Sequence, residues 1–328
     1  MRIFKRKLYD KLLEWKNNRH GKTAVLIEGA RRVGKSTLTK QFAENEYESY
    51  VMIDFSIVRD DVLELFNHID DLDYFFLQLQ FRLGVSLKER KSLVIFDEVH
   101  KCPKARQAIK HLVADRRYDY IETGSLISIK KNVKDILIPS EEEKLFLYPM
   151  DYEEFKWALG DNTAIPQLRM LFDKKLSIGD AVTRKLMRDF RIYMVVGGMP
   201  QAVDTYIDTN NLMEVDRVKR NIIQLYEDDF YKIDSSGRLS MLFDAIPAQL
   251  NSNASRYQVA SAIGSNTNSD KILQLISELR ESMTINMAYH ANDPGVGMSL
   301  VMNLNKYKMY IGDTGLFITL AFKDKDFT

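Results

Sequence analysis

Residues 29–36 run Gly29, Ala30, Arg31, Arg32, Val33, Gly34, Lys35 and Ser36, which is a complete G-x-x-x-x-G-K-S/T arrangement. The chemistry this spacing suits is the holding of a di- or triphosphate. Glycines allow a sharp turn out of a strand and into a helix, leaving several backbone N–H groups converging on one point beside the positive end of the helix dipole. Lys35 has the reach for β- and γ-phosphate oxygens, the Ser36 hydroxyl is a ligand for Mg²⁺, and Thr37 follows in the first turn of the expected helix. Four apolar residues, Leu93–Phe96, lead into a second group, Asp97 and Glu98. Asp97 would hold Mg²⁺ beside Ser36, and Glu98 would orient and deprotonate a water attacking the γ-phosphate. A third group, Thr123–Gly124–Ser125, ends another apolar segment, where a hydroxyl senses the γ-phosphate or places the water. Thr123 and Ser125 both qualify, and Ser125 is assigned beside Lys35 and Glu98 as catalytic. The N-K-x-D signature of guanine recognition is absent.

Those groups need a rigid sheet to bring them together. The apolar runs 24–28, 50–56, 92–99, 118–125 and 144–150 read as strands, separated by helical patterns over 37–47, 58–83 and 103–117. Strands alternating with helices of this length specify an α/β fold with a parallel sheet covered on both faces. A strand between the phosphate loop and the acidic strand in chain order fits the P-loop NTPase branch with an additional central strand. Residues 4–17 read as an amphipathic helix with a basic, solvated outer face.

Beyond 150 the pattern changes. Helical periodicity dominates 151–160, 167–190, 200–207 and 212–232, with Gly197–Pro200 as a turn between helices. Residues 239–252, 255–265 and 268–284 read as three helices ahead of β-like segments at 284–290 and 301–311, the outline of a winged helix. Asp270, Glu278 and Glu281 beside Lys271 and Arg280 make its last helix poorly suited to phosphates, so packing or protein interaction is favoured over DNA reading. The division expected is an ATPase domain over 1–160, a helical region over 161–237, and a winged-helix-like segment with the start of a further domain over 238–328.

Composition narrows the alternatives. Forty-seven Lys and Arg against 46 Asp and Glu leave a net charge of +1, with no global attraction to nucleic acid or anionic membrane. Cys102 is the only cysteine, which excludes an internal disulfide and fits a reducing cytoplasm. Histidines 20, 68, 100, 111 and 290 lack metal-ligand spacing, and no run of 18 apolar residues exists to span a bilayer. Arg184, Arg188 and Arg191 form one helical row, read as a solvated face. The loop arginines, Arg31 and Arg32, have several partners open to them: nucleotide, acids around Mg²⁺, a neighbouring subunit, or acids of the second domain.

The segments GARRVGKSTL, FDEVHK and ETGSL, then LYPMDYEEFKWALG, GGMPQAV and YKMYIGDTGL, resemble in order the bacterial and archaeal AAA-like ATPases fused to a C-terminal domain of unknown function. The resemblance runs along essentially the whole chain and implies ATP as nucleotide, with Lys35, Ser36, Asp97 and Glu98 in the roles above. Two departures stand out. Relatives often carry a Gly-Arg pair where this chain has IPSEEEK (138–144), so no role for that arginine transfers. Relatives also continue past the D-T-G-L segment into a restriction-nuclease-like fold, whereas this chain ends 13 residues after Gly315 (328 − 315). Asp313 alone cannot build a two-carboxylate metal site, so a truncated product without nuclease activity is expected. The leading expectation is a cytoplasmic, Mg²⁺-dependent ATPase that couples hydrolysis to rearrangement of its C-terminal domain. The alternatives are a slow-turnover nucleotide switch that changes protein partners or self-associates, and a DNA-handling ATPase.

Overall fold

The structure is a computed structural model and describes residues 2–124, 140–264, 268–291, 295, 297–298 and 302–323. The chain divides into two compact units, Lys5–Leu147 and Met1–Phe4 with Tyr148–Thr328. This break differs from the expected division at 160 and 237.

In the first unit, α1 (Leu8–Arg19) leads to β1 (Ala24–Glu28), α2 (Lys35–Glu46), β2 (Ser49–Asp54), α3 (Asp60–Leu65), α4 (Leu72–Leu83), β3 (Ser92–Asp97), α5 (Pro103–Asp115), β4 (Asp119–Gly124) and β5 (Glu142–Phe146). All five strands are parallel, in the order β2-β3-β4-β1-β5. Every residue of β1, β3 and β4 is buried, which explains why β1 and β3 read as near-continuous apolar runs without alternation, while β4 buries Asp119, Glu122 and Thr123 as well. Ala24, Leu26, Val94, Phe96 and Tyr120 pack with residues of α3, α4 and α5 in one core. The stretch 58–83, read as one or two helices, forms two, α3 and α4, and Asp71 caps the second by accepting from the Tyr74 N–H. The additional strand in space is β4, which lies between β1 and β3, while the segment next in sequence, β2, forms the sheet edge.

The expected strand 144–150 ends early, at Phe146. Beyond it the Leu147 N–H still donates to the Glu28 carbonyl, and Asp151 then opens α6 (Tyr152–Ala158). There Asp151 accepts from the Glu154 N–H while Glu154 accepts from the Asp151 N–H, a reciprocal capping box. The second unit continues with α7 (Ala164–Asp173), α8 (Asp180–Val196), α9 (Pro200–Thr209), α10 (Leu212–Ile233), α11 (Arg238–Asp244), α12 (Ile246–Asn251), α13 (Val259–Ile263) and α14 (Ser269–Glu281). An antiparallel hairpin of β6 (Ile285–Ala291) and β7 (Met302–Ile311) and a last helix, α15 (Thr314–Ala321), follow. The helix expected over 239–252 is two helices, because Pro247 has no N–H to continue α11 and instead sits in the first turn of α12. Among the described residues four helices, α11 to α14, thus precede the hairpin in place of the three expected for a winged helix.

Three segments that carry the family resemblance converge inside this unit. Asp313 is wholly enclosed, and its carboxylate accepts from the Leu316 N–H at 2.8 Å, capping α15, and from the Gly198 N–H at 2.5 Å. Lys219 of α10 donates to the carbonyls of Val195 at 2.7 Å and Gly315 at 3.3 Å. Met150 N–H donates to the Gly198 carbonyl at 2.7 Å, and a Cβ on Gly198 would lie 1.9 Å from the Met150 carbonyl oxygen. These glycines are present because backbones touch there. Asp313, considered in the sequence as a remnant of a metal site, is a helix cap and a tie between loops.

Candidate functional site: the phosphate loop and its acidic strand

Gly29 to Gly34 join β1 to α2. A side chain at Gly29 would place its Cβ 2.3 Å from the Leu147 carbonyl oxygen, so only glycine fits. Arg32 (φ 70°) and Gly34 (φ 97°) both take the left-handed conformation, the combination that turns successive N–H groups toward one side as an anion-binding concavity. The N–H groups at the start of α2, through Ser36 and the half-buried Thr37, add the positive end of a 12-residue helix. Lys35 is only 6% exposed, and its Nζ donates to the carbonyls of Gly29 and Ala30, both at 3.0 Å. Burial pulls the lysine below its usual pKa, against the opposing charges of Glu98 and Asp97.

The carboxyl ends of β3 and β4 meet α2 here. The Ser36 hydroxyl donates to Asp97 Oδ1 at 2.9 Å, and the Thr123 hydroxyl donates to the same oxygen. The Glu98 N–H in turn donates to Thr123 Oγ1 at 3.3 Å. Thr123 is thus the joint between the two acids, which follows from β4 lying beside β3. Ser125 lies outside the described residues. Glu98 itself is in the left-handed region (φ 53°), a costly conformation for a side chain of this size. Burial raises the Glu98 pKa, partly offset by Lys35 and Arg31. His100 Nδ1 stands 3.2 Å from Glu98 Oε2.

Of the residues expected from sequence, Gly29, Ala30, Arg31, Arg32, Val33, Gly34, Lys35, Ser36 and Thr37 form the loop and helix start, with Asp97 and Glu98 opposite. Arg31 and Arg32 are exposed, and Arg31 acts electrostatically on both Lys35 and Glu98. Cys102 is buried and its thiol is pushed up by that burial, the state of an inert side chain. Arg184, Arg188 and Arg191 are exposed on α8. Two residues escaped sequence reading. His100 lacks metal-ligand spacing in the sequence, although its place two residues after Glu98 is the available signal. Arg6 was counted within a solvated basic helix, but it precedes α1, is buried, and donates to the Val33 carbonyl at 2.8 Å. No spacing rule points to it.

Whether these residues suit a nucleotide and its metal can be judged from the donors present. Among the described residues no group of three or more His, Cys, Asp and Glu side chains is placed to hold a metal. The facing Ser36 and Asp97 oxygens instead suit Mg²⁺, which keeps waters and takes phosphate oxygens alongside one or two protein ligands.

Residues 21–156 match the family model of an AAA domain. This chain carries an AAA domain. Residues 187–326 match the model of a domain of unknown function (DUF8612), so the AAA domain is joined to a second one. No curated protein matches the chain. Among solved structures, the Walker-type ATPase of Pyrococcus abyssi is similar with a TM-score of 0.57 and 16% identity, covering 97% of this chain and 96% of that one. At that identity the likeness speaks for the fold. The Aeropyrum pernix Orc1 protein in complex with DNA (TM-score 0.33, 11% identity, 98% and 93% covered) and AMPPCP-bound DnaA from Aquifex aeolicus (0.37, 11%, 84% and 88%) also match, at scores too low to carry an argument. No helix among the described residues is long and apolar enough to cross a membrane.

Proposed function

We propose that the AAA domain binds ATP with Mg²⁺ and hydrolyses it to ADP and phosphate. The observation that carries this reading is the linked set Ser36–Asp97–Thr123–Glu98, facing the loop that holds Lys35. Lys35 would exchange its two loop carbonyls for β- and γ-phosphate oxygens, drawing charge away from the phosphoryl group as its bond to the β-phosphate oxygen breaks. Glu98 would accept the proton of the attacking water as the new oxygen–phosphorus bond forms. Ser36 and Asp97 would hold Mg²⁺, which supplies charge neutralisation at the β- and γ-phosphates. His100 would orient the Glu98 carboxylate, and Arg31, whose charge acts on Glu98 and Lys35, would add positive charge near the γ-phosphate.

Coupling to the rest of the chain would run through the residues at which the chain enters and leaves this unit, Lys5 and Leu147. Leu147 backs Gly29 and Arg6 holds Val33, so the start and the middle of the loop are tied to the ends of the unit. The decisive experiment compares Lys35→Ala and Glu98→Gln with the unmodified protein by nucleotide titration and single-turnover hydrolysis. Lys35→Ala should lose ATP binding. Glu98→Gln should keep binding and lose turnover by about a hundredfold or more. Normal turnover in Glu98→Gln would sink the assignment. Tight binding with negligible turnover in the unmodified protein would instead identify a nucleotide switch.

A further inference from the structure

Arg6 stands second in the unit Lys5–Leu147, ahead of the first helix, and is 5% exposed. Its Nη1 donates to the Val33 carbonyl at 2.8 Å, 27 residues away in sequence and in the middle of the phosphate loop. No described peptide bond is cis. In a trans peptide the C=O and N–H point in opposite directions, so a donor that fixes the Val33 oxygen also fixes the direction of the Gly34 N–H. A charged donor strengthens the hold, since hydrogen bonds to ionised groups are about twice as strong as neutral ones. It also keeps a carbonyl dipole from facing an incoming phosphate, and it polarises the Gly34 N–H toward donation. The conformation it holds includes Arg32 in the left-handed region, which is costly for a non-glycine residue, while Gly34 on the other side takes that region freely.

We infer that Arg6 is a positioning residue of the phosphate site, setting the Val33–Gly34 peptide so that its N–H serves a nucleotide phosphate. This rests on the reading of the loop as a nucleotide site. Arg6 acts on the loop before any nucleotide arrives, and on a group common to ADP and ATP, so its contribution is uniform binding and appears in affinity more than in turnover.

The test is titration of ATP–Mg²⁺ and ADP–Mg²⁺ into the full chain carrying Arg6→Gln, Arg6→Lys or Lys35→Ala, alongside steady-state hydrolysis. Arg6→Gln should raise Kd for both nucleotides about tenfold, with KM following and kcat changing far less, and Arg6→Lys should recover part of the loss. Equal Kd in Arg6→Gln and the unmodified protein, while Lys35→Ala fails to bind, would overturn the assignment and leave the nucleotide site intact. Failure of the unmodified protein to bind either nucleotide would overturn both. A measurement that needs no substitution guards against a variant that does not fold. The side-chain nitrogen resonances of Arg6 in the unmodified protein should shift when ADP–Mg²⁺ saturates the site, and unchanged resonances would count against the role.

Discussion

At Thr123 a single hydroxyl donates to Asp97 and receives the Glu98 N–H, so one oxygen sets the relation between the acid that would hold metal and the acid that would activate water. Valine has nearly the same shape and no hydroxyl. Thr123→Val should therefore leave the fold and ATP affinity close to those of the unmodified protein while lowering kcat by about ten- to a hundredfold, a loss of ~1.4–2.7 kcal/mol in the transition state. Thr123→Ser should retain most of the rate. Steady-state kinetics on the pair checks this, and equal kcat in the valine variant would return the role to a residue elsewhere. Sequence placed a polar group at the end of this strand, with Thr123 and Ser125 both qualifying and Ser125 taken as the catalytic one. The bonds from Thr123 to Asp97 and Glu98 arise across neighbouring strands and are not legible from spacing, while Ser125 lies outside the described residues.

At the scale of elements, the Asp313 tie joins the start of α15 to the Gly197–Gly198 turn that follows α8. Asp313→Asn keeps the shape but replaces one acceptor oxygen with a donor, leaving either the Gly198 or the Leu316 N–H buried and unmatched. A loss of about 1–3 kcal/mol is expected. Gly198→Ala forces a Cβ against the Met150 carbonyl and should cost about 3 kcal/mol or more, since backbone on both sides must move. Chemical denaturation of the second unit's signal measures both, and stabilities within error of the parent would show the junction to be looser than its distances imply.

At the scale of the whole molecule, the two units carry buried ionisable groups with opposite pH signs. Glu122 of β4 is wholly buried, and burial followed by the neighbouring Glu142 raises its pKa well above the ordinary carboxylate range, while Arg106 pairs with Glu142 at 3.1 Å. A raised folded pKa means that the folded state binds more protons, so its stability is full below the unfolded pKa and falls as pH rises toward the folded one. Lys219, depressed to about 8 by burial, works the other way: its contribution is full above the unfolded lysine pKa and is lost as pH falls toward about 8. Melting curves between roughly pH 5 and 9.5 should show Glu122→Gln gaining on the parent protein as pH rises. Lys219→Met should flatten the rise of the second unit's stability above about pH 8. Parallel pH profiles for parent and variants would contradict the pairing.

What the sequence determined by itself is local. The phosphate loop, the acid pair at the end of an apolar strand, the parallel α/β class and the turn at Gly197–Pro200 all depend on residues within one or two elements, whose periodicity and glycine placement dictate backbone conformation directly. What tertiary structure decided depends on residues far apart. Arg6 meets Val33 across 27 positions, Thr123 meets Asp97 across 26, and Asp313 meets Gly198 across 115. Such bonds are set by strand register and by which helix face is covered, and no spacing along the chain encodes them. For the same reason the break between units fell at Leu147 and not in the glycine- and proline-containing stretch after 160: the Leu147 backbone is tied to Glu28 and packed on Gly29, and the segment beginning at Tyr148 packs with the second unit.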